Sequence, residues 1–211
     1  MILHEIYGTE NNPVYQELAV SNLDRQYDFL RSLVVAALGS KRVWLSQSAI
    51  KAFHFHAITC LHTNAGEYRP CPVEVGQGET TYKPPAHYRV QALMDDFINE
   101  VNRNWDIVDP VMLAAYVLWK LNAIHPFTNG NGRTARVTCY YVLCLRAGGL
   151  LPGKHILPEL IRANRADYVA ALKVADETQG QNLQPLHDLL SSLLAIQLEP
   201  EPVEVKESVV I

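Results

Sequence analysis

The sequence predicts an all-α protein, a helical bundle around a buried central helix pair, with one short β-hairpin. Apolar residues recur with helical periodicity along most of the chain. Two segments, 111–124 and 137–145, are apolar nearly all round, which is typical of helices at the centre of a fold. Before the C-terminal tail, the segment between Arg69 and Tyr88 is the one that alternates in the way that a strand does.

Three amphipathic helices are predicted before the central pair. The first carries its apolar stripe from Leu23 to Val34, the second from Ile50 to Leu61, and the third from Val90 to Val101. Ser46 is placed to cap the N-terminus of the second helix with its hydroxyl oxygen.

The central pair begins at a strong helix-start signal. Asp109 supplies a capping carboxylate, and Pro110 suits the first turn of the helix that runs to about Ile124. The second member follows over residues 137–145. Two further helices are predicted at roughly 157–176 and 186–198.

The candidate hairpin is the one extended element of the prediction. Residues 73–75 alternate, residues 76–78 supply a glycine turn, and residues 80–82 favour extended chain. An isolated hairpin is marginal in water unless it packs on something, which favours a role as a lid or a peptide-docking edge. The alternative is a surface loop that happens to alternate.

Composition and charge indicate a cytoplasmic protein with neither nucleic acid nor membrane as a partner. The 211 residues are 48% hydrophobic and 19% charged, and the formal net charge is -4. These values argue against disorder and give no electrostatic reason to expect nucleic acid. No basic leader and no bilayer-length apolar run is visible. The cysteines form no C-x-x-C pair, so free thiols in a reducing compartment are expected.

Residues 125–136, a polar and glycine-rich segment between the central helices, carry the candidate site. The Gly130–Gly132 turn lets backbone N–H groups converge where a buried helix begins, and such a helix N-terminus binds anions. Arg133 and Arg136 lie on one face of that helix. The helix dipole disfavours arginines in this position, so the pair predicts a bound polyphosphate.

Two further side chains complete a site for attack on a phosphoryl group. His125 ends the preceding helix, titrates near neutrality, and could accept a proton from a hydroxyl. Asn129 offers a side-chain oxygen that could ligate Mg²⁺ bridging the phosphates. Taken alone, a histidine before a proline is more often an ordinary helix-end residue. A Gly-Asn-Gly is more often a simple turn, and paired arginines more often face solvent. Their convergence between two core helices favours phosphoryl chemistry.

The segment resembles the signature of Fic-domain proteins: His-Pro-Phe, two positions, Gly-Asn-Gly-Arg, two positions, Arg. The matching residues are His125, Pro126, Phe127, Gly130, Asn131, Gly132, Arg133 and Arg136. Upstream, Gly66–Arg69 and the candidate hairpin look like the family's flap, a strand pair that holds the target peptide. The flap residues implied to dock a target are Val73, Glu74, Val75 and Tyr82. The resemblance covers about residues 45–195.

The resemblance implies a Fic fold over residues 45–198, with a helical segment, 1–44, packed on it and a peripheral tail, 199–211. Its usual activity is AMPylation, the transfer of AMP from Mg-ATP to a Ser, Thr or Tyr hydroxyl of a target protein, with release of pyrophosphate. ATP is then the substrate, Mg²⁺ the cofactor, and the target protein a partner.

Roles for individual residues follow from the same resemblance. His125 becomes the general base, and Phe127 anchors the loop in the core. The Gly130–Gly132 amides, together with Asn131, hold the α- and β-phosphates, while Arg133 and Arg136 contact the outer phosphates. The helix that carries Tyr168 and Asp176 borders the adenine pocket. Asn129 departs from the family pattern, because most active members have an acidic Mg²⁺ ligand there.

Two other functions stay open. A flipped nucleotide would present its γ-phosphate and make the protein a kinase, and no residue fixes the nucleobase. A domain in which Asn129 weakens Mg²⁺ binding too far would be a nucleotide-binding module. A zinc site at His54, His56 and His62 is disfavoured, because positions i and i+2 face different sides of a helix.

Restraint by an internal glutamate is not expected. Many Fic proteins carry an inhibitory helix whose glutamate pairs with the second motif arginine, here Arg136. The nearest match is Glu10-Asn11, but Ile6 stands where the pattern has a hydroxyl residue, and Gly8 weakens a helix. We therefore expect any restraint to come from a separate antitoxin-like protein.

Overall fold

Residues 11–76 and 82–199 are described by the computed structural model, and they form eight α-helices. In chain order these are α1 Pro13–Gly39, α2 Gln47–Ile58, α3 Val90–Arg103, α4 Pro110–Ile124, α5 Asn131–Arg146, α6 Leu157–Ala163, α7 Arg165–Glu177 and α8 Gln184–Leu198. A short 3-10 turn, His87–Arg89, leads into α3. Glu10 and residues 200–211 of the predicted tail lie outside the described ranges.

Side-chain caps fix where the helices begin. The Ser46 hydroxyl accepts the Ala49 N–H, as predicted for the start of α2. The Asp109 carboxylate accepts the N–H groups of Val111 and Met112 at the start of α4, again as predicted. These bonds satisfy backbone donors that have no acceptor inside the helix.

The pair α4 and α5 forms the centre of the fold. The two helices pack against each other, and α1, α2 and α8 lie around them. Most of α5 is buried, including its thiols Cys139 and Cys144, and Leu118 and Leu121 of α4 lie in the same core. The predicted buried central helix pair is confirmed.

The single helix predicted over 157–176 is wrong, because the chain breaks at Asn164. There φ is -97° and ψ is 45°, and the Asn164 side chain donates to the Leu160 carbonyl at 2.9 Å. A short amide side chain competes with the backbone for such carbonyls and favours helix ends. The break lets α6 pack on α5 while α7 packs on α4.

The candidate hairpin is represented by one antiparallel bridge. The Val75 N–H donates to the Tyr82 carbonyl at 2.9 Å, and the Tyr82 N–H donates back at 2.8 Å. Residues 77–81, which contain most of the predicted turn, lie outside the described ranges. The hairpin therefore stays a prediction.

Within the part of the chain that the structure describes, no helix is long and apolar enough to cross a membrane.

Candidate active site

The loop between α4 and α5 begins and ends in left-handed backbone. His125 has φ 51° and ψ 59°, and its N–H closes α4 on the Leu121 carbonyl at 3.0 Å. Gly130 has φ 74°, and a Cβ added there would lie 2.7 Å from Ile58 Cγ2. A side chain at position 130 would therefore clash as well as strain the backbone. The glycine is required at the point where α5 begins.

Asn131 holds this loop in shape. Its Nδ2 donates to the Phe127 carbonyl at 2.8 Å, and its Oδ1 accepts the Phe127 N–H at 2.9 Å. Phe127 itself is fully buried. Both polar groups of the Asn131 side chain have partners in the loop, and the role of Asn131 in holding phosphates stays a prediction. The residue keeps its backbone N–H in the first turn of α5 for an anion.

His54 fixes the loop from the side of α2. Its Nδ1 accepts the Gly66 N–H at 2.9 Å, so its Nε2 carries the proton and donates to the Asn129 carbonyl at 2.9 Å. The ring stacks on Phe127, with centroids 3.7 Å apart. Burial lowers the pKa of His54 to about 4, so the imidazole is neutral at physiological pH. Sequence reasoning weighed His54 only as a zinc ligand, although it follows the apolar residue Phe53 on the buried face of α2.

His125 is a neutral imidazole at physiological pH. Burial lowers its pKa to about 4, a hydrogen bond to the Asn122 backbone acts in the opposite direction, and the Arg69 charge lowers the pKa further. A neutral imidazole carries a proton on one ring nitrogen and leaves the other nitrogen as an acceptor. That is the form which a general base needs.

Arg133 and Arg136 project from the first turns of α5. Arg133 Nη1 donates to the Ala57 carbonyl at 3.1 Å, and its Nη2 lies 3.5 Å from Asn129 Oδ1. Burial lowers the pKa of the Arg136 guanidinium, and the neighbouring charges of Arg133 and Arg162 act in the same direction. An anion placed here would relieve that repulsion.

A cavity of about 720 Å³ opens beside these arginines, with α1 as its opposite wall. The arginines that line it are Arg133, Arg136, Arg162 and Arg165. Glu159 is the one carboxylate among the described lining residues. Sequence analysis did not identify Arg162 and Arg165, because no local pattern places α6 and α7 beside the loop. The cavity suits a strongly anionic ligand.

Asn129, the candidate metal ligand, lies at the lip of the loop. Its Oδ1 accepts the Gly130 N–H at 2.5 Å, in addition to the contact from Arg133. An amide oxygen is a hard donor of the kind that Mg²⁺ accepts, so the residue fits the ion in chemistry.

Tyr168 and Asp176 lie on α7 where it packs on α4. The Tyr168 hydroxyl accepts from Asn122 Nδ2 at 2.9 Å, and the ring is buried. Asp176 Oδ1 accepts the Trp119 Nε1–H at 2.8 Å, and burial raises the pKa of that carboxyl. Both side chains therefore have structural partners in α4, and their roles beside a nucleobase stay predictions.

The candidate docking residues lie around the Val75–Tyr82 bridge. The Tyr82 hydroxyl donates to the Ala123 carbonyl at 2.7 Å, two residues before His125. Glu74 and Lys83 form an exposed ion pair at 3.5 Å, while Val73 and Val75 are partly buried. The predicted flap thus contacts the end of α4 through Tyr82, close to His125, the candidate general base.

A profile of the Fic/DOC family matches residues 44–143. This range contains the whole loop, both of its arginines and the candidate flap.

The similarity to two curated relatives covers about half of this chain. The protein adenylyltransferase fic-1 of Caenorhabditis elegans is 33% identical over 114 residues, which are 50% of this chain and 21% of the relative. The protein adenylyltransferase Fic of Nematostella vectensis is 36% identical over 114 residues, 53% of this chain and 24% of the relative. The chain therefore spans about a fifth to a quarter of the length of these relatives.

Solved structures extend the similarity to most of the fold. A fragment of Fic-1 from Caenorhabditis elegans superposes with a TM-score of 0.66 at 28% identity, covering 85% of this chain and 49% of that one. A Fic-domain signalling protein from Bacteroides thetaiotaomicron gives a TM-score of 0.66 at 22% identity, with 84% and 68% covered. The second likeness is one of fold alone.

Proposed function

We propose that the chain is a protein adenylyltransferase, because a model of the Fic/DOC family matches residues 44–143. It transfers AMP from Mg-ATP to a Ser, Thr or Tyr hydroxyl of a target protein or of itself. The observation that carries this proposal is a neutral His125 beside a helix N-terminus that presents Arg133 and Arg136 to a cationic cavity. The names of the curated relatives support the same reaction.

The transfer step follows from the position of the base. The free nitrogen of His125 takes the proton of the target hydroxyl as that oxygen attacks the α-phosphorus of ATP. A bond forms between the oxygen and phosphorus, and the bond from the α-phosphorus to the oxygen bridging it to the β-phosphorus breaks. Pyrophosphate leaves with that electron pair. His125 holds the proton until it passes to solvent or to the leaving group.

Hydrogen-bond donors that are already in place would stabilise the negative charge that develops on the phosphates. The N–H groups of Asn131 and Gly132 lie in the first turn of α5, where no intrahelical acceptor exists. Arg133 and Arg136 add charge-assisted hydrogen bonds to the outer phosphates. Because Asn131 and His54 already fix the loop, these donors need little reorganisation when ATP binds.

Magnesium would be held by Asn129 Oδ1 together with phosphate oxygens. When bound, the ion neutralises charge on the phosphates and on the leaving pyrophosphate. The residues of the loop would bind and orient the triphosphate, and His125 would act on the hydroxyl.

The experiment that tests this function compares ATP labelled at the α-phosphate with ATP labelled at the γ-phosphate. We expect protein labelling from the α position alone. Labelling from the γ position alone would make the protein a kinase, and labelling from neither would leave a nucleotide-binding module. Either of those results would overturn the proposal.

Replacing Asn129 by aspartate should lower the Mg²⁺ concentration needed for half-maximal transfer severalfold. A carboxylate binds a hard cation more strongly than an amide does, and it is favoured beside the positive end of α5. The measurement is a Mg²⁺ titration of the initial rate. Asn182→Asp is the matched control, since Asn182 is exposed and its Oδ1 accepts the Gln184 N–H at 3.1 Å, a contact that aspartate keeps. An unchanged Mg²⁺ requirement in Asn129→Asp would remove residue 129 from the metal site.

Replacing Glu10 by glycine should leave self-modification unchanged. Glu10 lacks the sequence context of an inhibitory helix, although its neighbour Asn11 lines the cavity beside Arg136. The measurement is labelling with α-labelled ATP, with Glu5→Gly as the control. A large gain in Glu10→Gly alone would make Glu10 an internal brake. An unchanged level supports restraint by a separate inhibitory protein or an enzyme that runs unrestrained.

A further inference from the structure

Arg69 joins the candidate base to the segment that carries the predicted flap. Its side chain is 3% exposed. Nε donates to the His125 carbonyl at 2.8 Å, Nη1 donates to the Cys71 carbonyl at 3.3 Å, and Nη2 donates to the Pro85 carbonyl. The backbone N–H of Arg69 also donates to the Pro126 carbonyl at 2.8 Å.

Two of these four bonds hold the carbonyls of His125 and Pro126 in place. His125 has a left-handed backbone, which a residue with a Cβ adopts only when its surroundings hold it there. Arg69 contacts the carbonyls of both residues, so the direction in which the imidazole leaves the backbone depends on it. Cys71 and Pro85 flank residues 72–84, which contain the Val75–Tyr82 bridge. The Arg69 guanidinium therefore joins the two ends of residues 72–84 to the backbone of His125.

The charge of Arg69 is not explained by an ion pair. Among the described residues no carboxylate forms a salt bridge with it, and burial lowers the pKa of its guanidinium. Burying a cation against carbonyl dipoles alone is a costly way to stabilise a fold. The planar guanidinium, however, spreads its N–H donors in fixed directions, so one side chain bridges three carbonyls that lie apart.

We propose that Arg69 is a positioning residue that couples residues 71–76 and 82–85, the described parts of the predicted target-docking flap, to the alignment of His125. Docking of a target and alignment of the base then change together, because both depend on the same guanidinium. This inference rests on the proposed function and adds to it a residue outside the His125–Arg136 loop.

The kinetic test uses Arg69→Lys, which keeps the charge but loses the fork. We expect kcat for transfer to a protein target to fall about 10²-fold, since small misplacement of a reacting group has effects of that size. The KM for the target should rise, and the affinity for ATP should stay at the wild-type value. Exposed Arg103→Lys is the matched control and should change none of the three. Guanidinium ion added to Arg69→Ala should restore part of kcat.

A merely structural role predicts a different pattern. If Arg69→Lys lost ATP affinity and thermal stability in proportion to kcat, Arg69 would be a packing residue and the inference would be wrong. Wild-type kcat and KM in Arg69→Lys would also overturn it.

Hydrogen exchange tests the coupling without any activity. In Arg69→Lys the amides of Val75 and Tyr82 should exchange faster, while those in the interior of α5 keep their protection. Unchanged exchange at the bridge would overturn the inference. If the wild-type protein transferred no AMP, the proposed function would fail, and the exchange result would still decide whether Arg69 ties residues 71–85 to His125.

Discussion

Replacing His125 by alanine should abolish AMP transfer and leave ATP binding nearly intact. A general base contributes roughly 10²–10⁴-fold to rate, and His125 acts on the target hydroxyl, not on the phosphates. The two quantities to measure are the single-turnover rate with α-labelled ATP and the calorimetric affinity for ATP. His155→Ala is the matched control, because His155 is exposed and lies outside residues 125–136.

The pH dependence of the wild-type rate gives a second check on His125. Its pKa is lowered to about 4, so the neutral base is already formed throughout the physiological range. Transfer should lose His125 as a base only when pH falls through that value, with no inflection near the ordinary histidine pKa of about 6.5. In the mutational experiment, a His125→Ala variant that is labelled at the wild-type rate would show that His125 takes no part in the mechanism.

Replacing Arg133 by alanine should weaken ATP binding and turnover together. A charge-assisted hydrogen bond to phosphate is worth about 1.5–3 kcal/mol, which is roughly a 10- to 100-fold loss of affinity. Calorimetry with ATP and single-turnover labelling measure the two effects. Arg103→Ala, at an exposed site, controls for the change in net charge.

Arg133 also donates to the Ala57 carbonyl, so a thermal melt must accompany that measurement. The phosphate role requires ATP affinity to fall in a variant that still melts cooperatively near the wild-type temperature. Unchanged ATP affinity in Arg133→Ala would mean that the phosphate clamp is misplaced.

The parts of the site that lie close together in sequence were predictable from it. The Gly130 turn, the helix that follows and the two arginines on its face depend on neighbouring residues and on helix geometry. The caps at Ser46 and Asp109 are local for the same reason. The buried central pair follows from two segments without a polar face.

The bonds that hold the loop were not predictable, because they join distant parts of the chain. His54 meets Asn129 from 75 positions away, and Arg69 meets His125 from 56. Neither pairing leaves a periodic signal in the sequence. The bonds of the Asn131 side chain were not predicted either. Its place in the motif suggested a role toward phosphates, whereas in the structure its side chain bonds the Phe127 backbone.

The break at Asn164 was missed because hydrophobic periodicity continues through it. Leu157 and Ile161 before the break and Tyr168 after it are all buried, as they would be on one continuous helix. An asparagine inside such a pattern is a weak stop signal on its own. The break at Asn164 separates α6 from α7, and Arg162 of α6 and Arg165 of α7 both line the cationic cavity.

Tandem mass spectrometry of a protein modified in the presence of Mg-ATP tests the proposed reaction most directly. We expect AMP esterified to the hydroxyl of a Ser, Thr or Tyr residue, formed by the wild-type chain and not by His125→Ala. A phosphate group alone on that residue, or an unmodified protein after saturation with Mg-ATP, would contradict adenylyl transfer by this chain.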